Sequence, residues 1–234
     1  MLPEVDVAGQ ESLLAGTVLI VGMGGLGAPA AIYLASAGVG HLIISDHDRV
    51  EASNLQRQIV HHDASIGQTK VASACQSLLQ TNPELRITGI DRKLEGDELL
   101  KIVGDADVVL DATDNFAARF AINAACWEAG VPLVSGAAIR WEGQLAVFDP
   151  RDAASPCYRC LYAEGHDEAL NCAENGVIAP LVGVIGTCQA IEAIKLLTGI
   201  GEPLTGYVLY FDAKRMDWRK LKLPKDPACP GCSA

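Results

Sequence analysis

A strand, a glycine turn and a helix open the chain, and that succession restricts its fold more than any other feature. Residues 17–21, Thr-Val-Leu-Ile-Val, are a short β-branched and aliphatic run, followed by Gly22-Met23-Gly24-Gly25-Leu26-Gly27 and then by helical composition over residues 28–37. Gly38 and Gly40 terminate that helix, and residues 41–45 read as a second buried strand ending at Asp46. Gly22, Gly24 and Gly27 satisfy the dinucleotide pattern, in which glycines permit a tight turn, close approach of backbone to phosphate, and close packing of helix on strand. A carboxylate at the end of the next strand, here Asp46, can accept hydrogen bonds from ribose hydroxyls. The plainer alternative is a glycine turn that serves packing alone.

The remaining pattern continues the alternation. A helix is predicted over 69–80, stopped by Asn82-Pro83, then strands over 86–90 and 107–110 with a short helix at 97–103 between them. A helix at 116–129 precedes strands at 132–135 and 144–148. Beyond Asp149-Pro150 the pattern changes to a cysteine-bearing loop, a Gly- and acid-rich stretch, an apolar helix over 177–197, and two late strands, 207–212 and 217–221, close enough to form a hairpin. The expected class is α/β, a Rossmann-like, mostly parallel sheet with antiparallel C-terminal strands. One domain over residues 1–234 is expected, with a nucleotide-binding half (1–150) and a half carrying cysteine knuckles, a crossover loop and the last strands (151–234).

Composition excludes several function classes. A net charge of −11 would repel a phosphate backbone, which argues against nucleic-acid binding. The acidic start Met-Leu-Pro-Glu-Val-Asp does not resemble a secretory leader, so a cytoplasmic location is expected. The 177–197 stretch is of membrane-spanning length, but Pro180, Gln189, Glu192 and Lys195 interrupt it and favour a buried amphipathic helix, with no membrane partner.

The polar segment 46–67 is long for an ordinary connection, and such loops are often functional. The residues that separate possible chemistries are Ser53-Asn54-Leu55-Gln56-Arg57-Gln58, Lys70 and Asp111-Ala112-Thr113-Asp114-Asn115. Displacement at phosphorus needs cations against the charge building on its oxygens, and usually a carboxylate to hold magnesium. Arg57 and Lys70 can supply the former and Asp114 the latter. An NAD-dependent oxidoreductase would use the same glycine turn and Asp46. In the plain reading Arg57 and Lys70 are solvated surface charges and Asp114 is a helix N-cap.

Cys157-Tyr-Arg-Cys160 and Cys229-Pro-Gly-Cys232 are two C-x-x-C knuckles, together the four thiolates of a closed, structural tetrahedral zinc site; redox-active dithiols are the competing reading. Cys75, Cys126 and Cys188 fall among apolar neighbours in predicted helices and are assigned to packing. Cys172 sits in a polar loop entering the long apolar helix, where exposure could favour a thiolate; an incidental loop cysteine is the alternative. His61 and His62 are expected at the surface.

Taken together, Gly-Met-Gly-Gly-Leu-Gly, the run Asp46-His-Asp-Arg-Val-Glu-Ala-Ser-Asn-Leu-Gln-Arg-Gln, Asp-Ala-Thr-Asp-Asn, Ser135-Gly-Ala-Ala-Ile-Arg and the paired knuckles resemble the MoeB/ThiF/HesA family of ubiquitin-activating-enzyme-like adenylyltransferases. The resemblance covers nearly the whole chain. It implies a homodimer with bound zinc that uses Mg-ATP to adenylylate the C-terminal Gly-Gly carboxylate of a ubiquitin-like sulfur-carrier protein, after which a sulfur donor, a cysteine desulfurase or rhodanese, gives a thiocarboxylate for molybdopterin or thiamine synthesis. By motif match Gly25 and its neighbours approach the nucleotide, Asp46 binds the ribose, Asn54, Arg57 and Lys70 face the phosphates, Asp114 holds magnesium, and Asn115 adjoins the pocket. Cys172 matches a loop cysteine that in some members forms a covalent link with the carrier. The molybdopterin branch is favoured modestly over the thiamine branch. Family members usually begin with an Arg-Tyr-x-Arg-Gln arm, and Met1-Leu2-Pro3 falls just after it in register. The expectation is a truncated chain or a late start codon, with a non-catalytic carrier-binding module as the alternative.

Overall fold

The computed structural model describes residues 2–162 and 176–233. Its frame is one sheet of eight strands: β1 (Thr17–Val21), β2 (His41–Ser45), β3 (Arg86–Ile90), β4 (Val108–Asp111), β5 (Leu133–Ile139), β6 (Glu142–Phe148), β7 (Tyr207–Asp212) and β8 (Asp217–Lys222). Their spatial order is β3-β2-β1-β4-β5-β6-β7-β8, so the chain reverses direction across the sheet between β1 and β4. The pairings from β3 through β5 are parallel and those from β5 through β8 antiparallel.

The central strands are apolar at successive positions because both faces are covered. Val18 and Ile20, with Leu42, Ile44, Val108 and Leu110, enter one core; Leu19, Ile43 and Val109 enter the other. The first core is closed by α1 (Asp6–Ala15), α2 (Gly27–Ala37), α3 (Lys70–Thr81) and the long helix Ala179–Thr198. The second is closed by α4 (Gly96–Gly104), α5 (Phe116–Ala129) and the single turn α6 (Tyr158–Leu161). In chain order the long helix is α7.

Helix α7 is long and apolar enough to cross a membrane by length and composition, yet it packs on α2, α1 and strands β4 to β6. Leu181, Val182, Ile185, Gly186, Gln189, Ala190 and Ala193 form its buried face. Contact with the sheet is close because Gly143 has no Cβ; one built there would lie 2.5 Å from Ile185 Cδ1. Buried Gln189 donates to the carbonyls of Asp111 (2.7 Å) and Val134 (3.1 Å), tying the helix to β4 and β5. The helix starts at Ala179 rather than 177 because Val177 forms an isolated bridge with Arg140.

Strands β5 and β6 are longer than the sequence pattern predicts and form an antiparallel hairpin through Arg140 (φ 51°) and Trp141. Gly136-Ala137-Ala138 carries little strand propensity of its own, and its extension follows from the pairing with β6 and the packing of α7.

Candidate active site

The site begins with the glycine turn at the carboxyl end of β1. Gly22 has φ 97°, and a Cβ there would stand 2.7 Å from the Ala112 carbonyl oxygen; a Cβ on Gly27 would stand 1.9 Å from the Gly22 carbonyl oxygen. Both positions therefore exclude any side chain. Gly27 does not line the cleft described below; it sets the seat of α2 on β1. Met23 between them is fully buried. Among the described residues the N–H groups of Gly24, Gly25 and Leu26 form no hydrogen bond, and they stand at the positive end of α2.

Asp46 follows β2 and is 8% exposed. One carboxylate oxygen accepts the Met23 N–H (2.7 Å), and the other accepts the Asp48 N–H (2.8 Å). This carboxylate thus pins the turn after β1 to the end of β2 while each oxygen keeps a further lone pair. Lys70, the first residue of α3, is 5% exposed; its Nζ lies 2.7 Å from Asp48 Oδ2 and 3.7 Å from Asp46 Oδ2. The ammonium beside Asp48 holds that carboxyl below its ordinary range against the upward push of burial. Two short 3-10 turns, Ala52–Asn54 and Asp63–Ser65, order the segment after Asp46. Just beyond the first, Arg57 donates back to Asn54 Oδ1 at 2.6 Å, so the guanidinium and amide orient each other.

On the other side, Asp111 ends β4 fully buried. Its carboxylate accepts from the Thr113 N–H (3.0 Å), the Thr113 hydroxyl (2.6 Å) and the Ser135 hydroxyl (3.0 Å). Burial drives the Asp111 carboxyl up, only partly offset by Arg119 and these donors. Arg119 also donates to the Thr113 carbonyl at 2.9 Å. Asn115, not Asp114, caps α5 by accepting the Ala118 N–H at 2.9 Å. Asp114 is exposed and has no partner among the described residues.

These elements enclose one cleft of about 640 Å³ at the carboxyl ends of β1, β2 and β4, where the strand order reverses. Open α/β sheets bind ligands at that place. Gly22, Gly24, Gly25, Asp46, Ser53, Asn54, Gln56, Arg57, Lys70, Asp114 and Asn115 all line it. Leu55 belongs to the same turn but does not line it. The wall also includes Gln58, from the run singled out in the sequence, and residues to which the motifs give no role: Asp48, Arg92, Lys93, Glu95 and Arg119. In Asp46-His47-Asp48 the spacing of the second carboxylate was the available signal for Asp48; Arg92, Lys93 and Glu95 follow β3 in sequence and carry no local signature. Five cations against four carboxylates line the wall in a chain of net charge −11, so the cleft is locally far less acidic than the whole.

The four knuckle cysteines converge away from the cleft, at the end of α5. Their Sγ atoms lie within 4.8 Å of one another, with Cys157 and Cys229 at 3.6 Å and Cys160 and Cys232 at 3.5 Å. Those separations are far beyond a disulfide bond and near the roughly 3.8 Å edge of a tetrahedron with Zn–S bonds of about 2.3 Å. The N–H groups of Asp226 (3.5 Å, to Cys160 Sγ) and Gly231 (3.4 Å, to Cys229 Sγ) point at sulfur, as suits thiolates. Cys126 is buried and Cys75 and Cys188 half-buried, and burial pushes all three thiols up, in keeping with packing roles. Cys172 lies outside the described residues. His62 is exposed, but His61 corrects the surface expectation. It is 4% exposed because its two ring nitrogens find partners inside, Ser73 Oγ and the Met23 carbonyl oxygen, both at 2.9 Å.

Comparison with known proteins accords with this arrangement. The chain is 52% identical over 227 residues to the molybdopterin-synthase adenylyltransferase of Escherichia coli, covering 97% of this chain and 91% of that protein. It is 46% identical to the sulfur carrier protein ThiS adenylyltransferase of E. coli, covering 99% and 92% of the two. Identity to the SAMP-activating enzyme E1 of Haloferax volcanii is 42%, over 99% of this chain and 86% of that one. The crystal structure of E. coli MccB with ATP has the same fold, with a TM-score of 0.86 at 23% identity over 97% of this chain and 70% of that one. The ThiF family matches residues 1–231. With that match and these identities along nearly its full length, the chain belongs to the ThiF family.

Proposed function

We propose that this protein is a nucleotidyltransferase that adenylylates the C-terminal glycine carboxylate of a ubiquitin-like sulfur-carrier protein. The observation that carries the reading is the convergence on one cleft of turn N–H groups and an Asp114 carboxylate that have no partner among the described residues, together with Arg57 and Lys70. A carrier carboxylate oxygen attacks the α-phosphorus of ATP, the bond to the bridging oxygen breaks, and pyrophosphate leaves with the electron pair. The turn N–H groups and the two cations oppose the charge that accumulates on phosphate oxygens. Asn54 orients Arg57, and Asp46 offers its remaining lone pairs to the ribose. Asp114 would hold Mg²⁺, which supplies charge neutralisation on the phosphates. Asn115 and Ser53, Leu55 and Gln56 complete the nucleotide pocket in this reading.

A sulfur donor, a cysteine desulfurase or a rhodanese, then displaces AMP to leave the carrier thiocarboxylate, and Cys172 is the candidate for a covalent link to the carrier. The four knuckle cysteines would hold a structural zinc ion, since a four-sulfur shell leaves no open position. Homodimerisation is supported by apolar side chains exposed on the helical layer of α1, α2 and α7: Val7, Leu14, Tyr33, Val184 and Ile191. A cytoplasmic enzyme fits this substrate class. An NAD-dependent oxidoreductase is not favoured, because relatives of high identity are named adenylyltransferases. Incubation with candidate carriers and ATP, read by mass spectrometry for the adenylylated C-terminus, tests the reading. Tight NAD binding without ATP binding, or no carrier-dependent exchange of label between pyrophosphate and ATP, would reject it.

A further inference from the structure

We infer that His61 is a positioning residue for the nucleotide site, holding the glycine turn in its binding geometry through the Met23 carbonyl; the inference rests on the function proposed above. The Met23 peptide units lie between Gly22 and Gly24, where the chain has the least stiffness of its own. They are gripped from two sides. The N–H of Met23 donates to Asp46 at 2.7 Å, and its carbonyl accepts from His61 Nε2 at 2.9 Å. A carbonyl only accepts, so Nε2 carries a proton.

The other ring nitrogen, Nδ1, is 2.9 Å from Ser73 Oγ on α3, and the Ser73 hydroxyl is 2.9 Å from that of Ser65. Burial lowers the tendency of the ring to take up a second proton, so Nδ1 is left as an acceptor facing the Ser73 hydroxyl, whose single proton can go to Nδ1 or to Ser65 Oγ. The ring is thereby fixed in tautomer and orientation by α3, the helix that begins with Lys70. It transmits the position of that helix to the turn in which Gly24 and Gly25, whose N–H groups are unbonded among the described residues, line the cleft. Asp46 and His61 thus hold opposite edges of one residue, and neither hydrogen bond can be replaced by water, because Met23 is fully buried and His61 4% exposed. A histidine kept only for packing would fill the same volume without needing its Nε2 proton.

The test compares His61→Phe, which keeps ring volume and removes the donor, with His61→Gln, whose amide nitrogen reaches the position of Nε2. In carrier-dependent pyrophosphate exchange, His61→Phe should raise KM for ATP about tenfold, the worth of one buried hydrogen bond, and leave KM for the carrier unchanged. His61→Gln should return KM for ATP to within about threefold of the parent. In ligand-free protein, amide hydrogen exchange over residues 22–26 should accelerate in His61→Phe while residues 112–115 remain as they were. Unchanged ATP affinity and loop exchange in His61→Phe would overturn the inference, as would a glutamine variant as impaired as the phenylalanine one. If His61→Phe does not fold, Ser73→Ala removes the far anchor of the ring, together with the bond to Ser65, and should accelerate exchange over 22–26; no acceleration overturns the inference. A parent protein that binds ATP but exchanges pyrophosphate with no carrier removes the proposed function alone, because loop exchange and ATP affinity still decide the role of His61.

Discussion

Strands β3, β2, β1, β4 and β5 run parallel, with helices on both faces, and their carboxyl ends open into the cleft; β6, β7 and β8 run antiparallel, and β8 is exposed at five of its six residues. The first region is ordered by burial and by bonds between neighbouring strand ends, such as Asp46 to Met23. In the second, burial falls from five of seven residues in β6 to none in β8, and the tail after β8 is brought back by cysteines 72 residues apart. In the proposed reading, chemistry sits where strand ends meet over a deep core, whereas the tail would depend on the metal ion its four cysteines can hold. Each region should fail in its own way when disturbed.

The largest expected effect lies in the cleft. Arg57→Ala and Asp114→Ala should each lower carrier adenylylation by about 10²- to 10³-fold. Thermal stability should hardly change, because among the described residues Asp114 is exposed and unpartnered and Arg57 bonds only Asn54, three positions before it. Activity within threefold of the parent in both variants would remove them from the reaction. The tail should respond in the opposite sense. Chelation, or Cys229→Ser, should lower Tm by roughly 10 °C, equivalent to a few kcal/mol in a chain of this size. Limited proteolysis should then cut first within residues 224–233, with ATP affinity nearly intact. Equal loss of Tm and ATP affinity would show that the two regions are not separable.

The same division explains what could be read from sequence. The β-α-β opening, Asp46 and the Asp111–Asn115 run are local patterns, and the cleft walls they form are in place in the structure. Helix α1 escaped notice because Gly9 interrupts it and only Gly9 and Leu13 of its ten residues are buried; it is held by α7 and by the Gly40 N–H donating to the Leu13 carbonyl at 2.9 Å. The length of β5 depends on β6 and α7, not on Gly136-Ala137-Ala138. The burial of His61 is illegible in sequence for a similar reason: it is made acceptable by Ser73 twelve positions on and Met23 thirty-eight back, partners no local window contains.

Within the parallel region, close packing at the turn can be separated from helix propensity. Gly27→Ala drives a Cβ into the Gly22 carbonyl, so it should destabilise by about 3 kcal/mol, the upper end for overpacking, and weaken ATP binding by displacing the turn. Gly104, at the end of α4, has nothing within 4 Å of the position its Cβ would take and no positive φ. Gly104→Ala should stabilise by about 0.5 kcal/mol through the unfolded chain. Urea midpoints of the two variants should therefore move in opposite directions.

The smallest effect distinguishes the regions by pH. At the β2–β3 edge Arg86 donates to His41 Nδ1 (2.7 Å), so the neutral ring carries its proton on Nε2 and donates to Thr88 Oγ1 (2.9 Å). Burial, followed by the Arg86 charge, lowers the His41 pKa below its ordinary 6.5. The unfolded chain consequently binds a proton as pH falls through about 6.5 while the folded chain does not, and stability declines from there down to the folded pKa. Above about 6.5 both states are neutral and the contribution is flat. His61, also lowered by burial, acts with the same sign. His41→Gln should therefore shrink, without abolishing, the fall in urea midpoint between pH 7.5 and 5.5. A zinc ion held by the four cysteines, as proposed above, would be released as acid protonates the thiolates, which would destabilise the tail over a similar range. Repeating the titration on chelated protein isolates the parallel region: the His41-dependent difference should persist there, and its disappearance would move the acid sensitivity to the cysteine cluster.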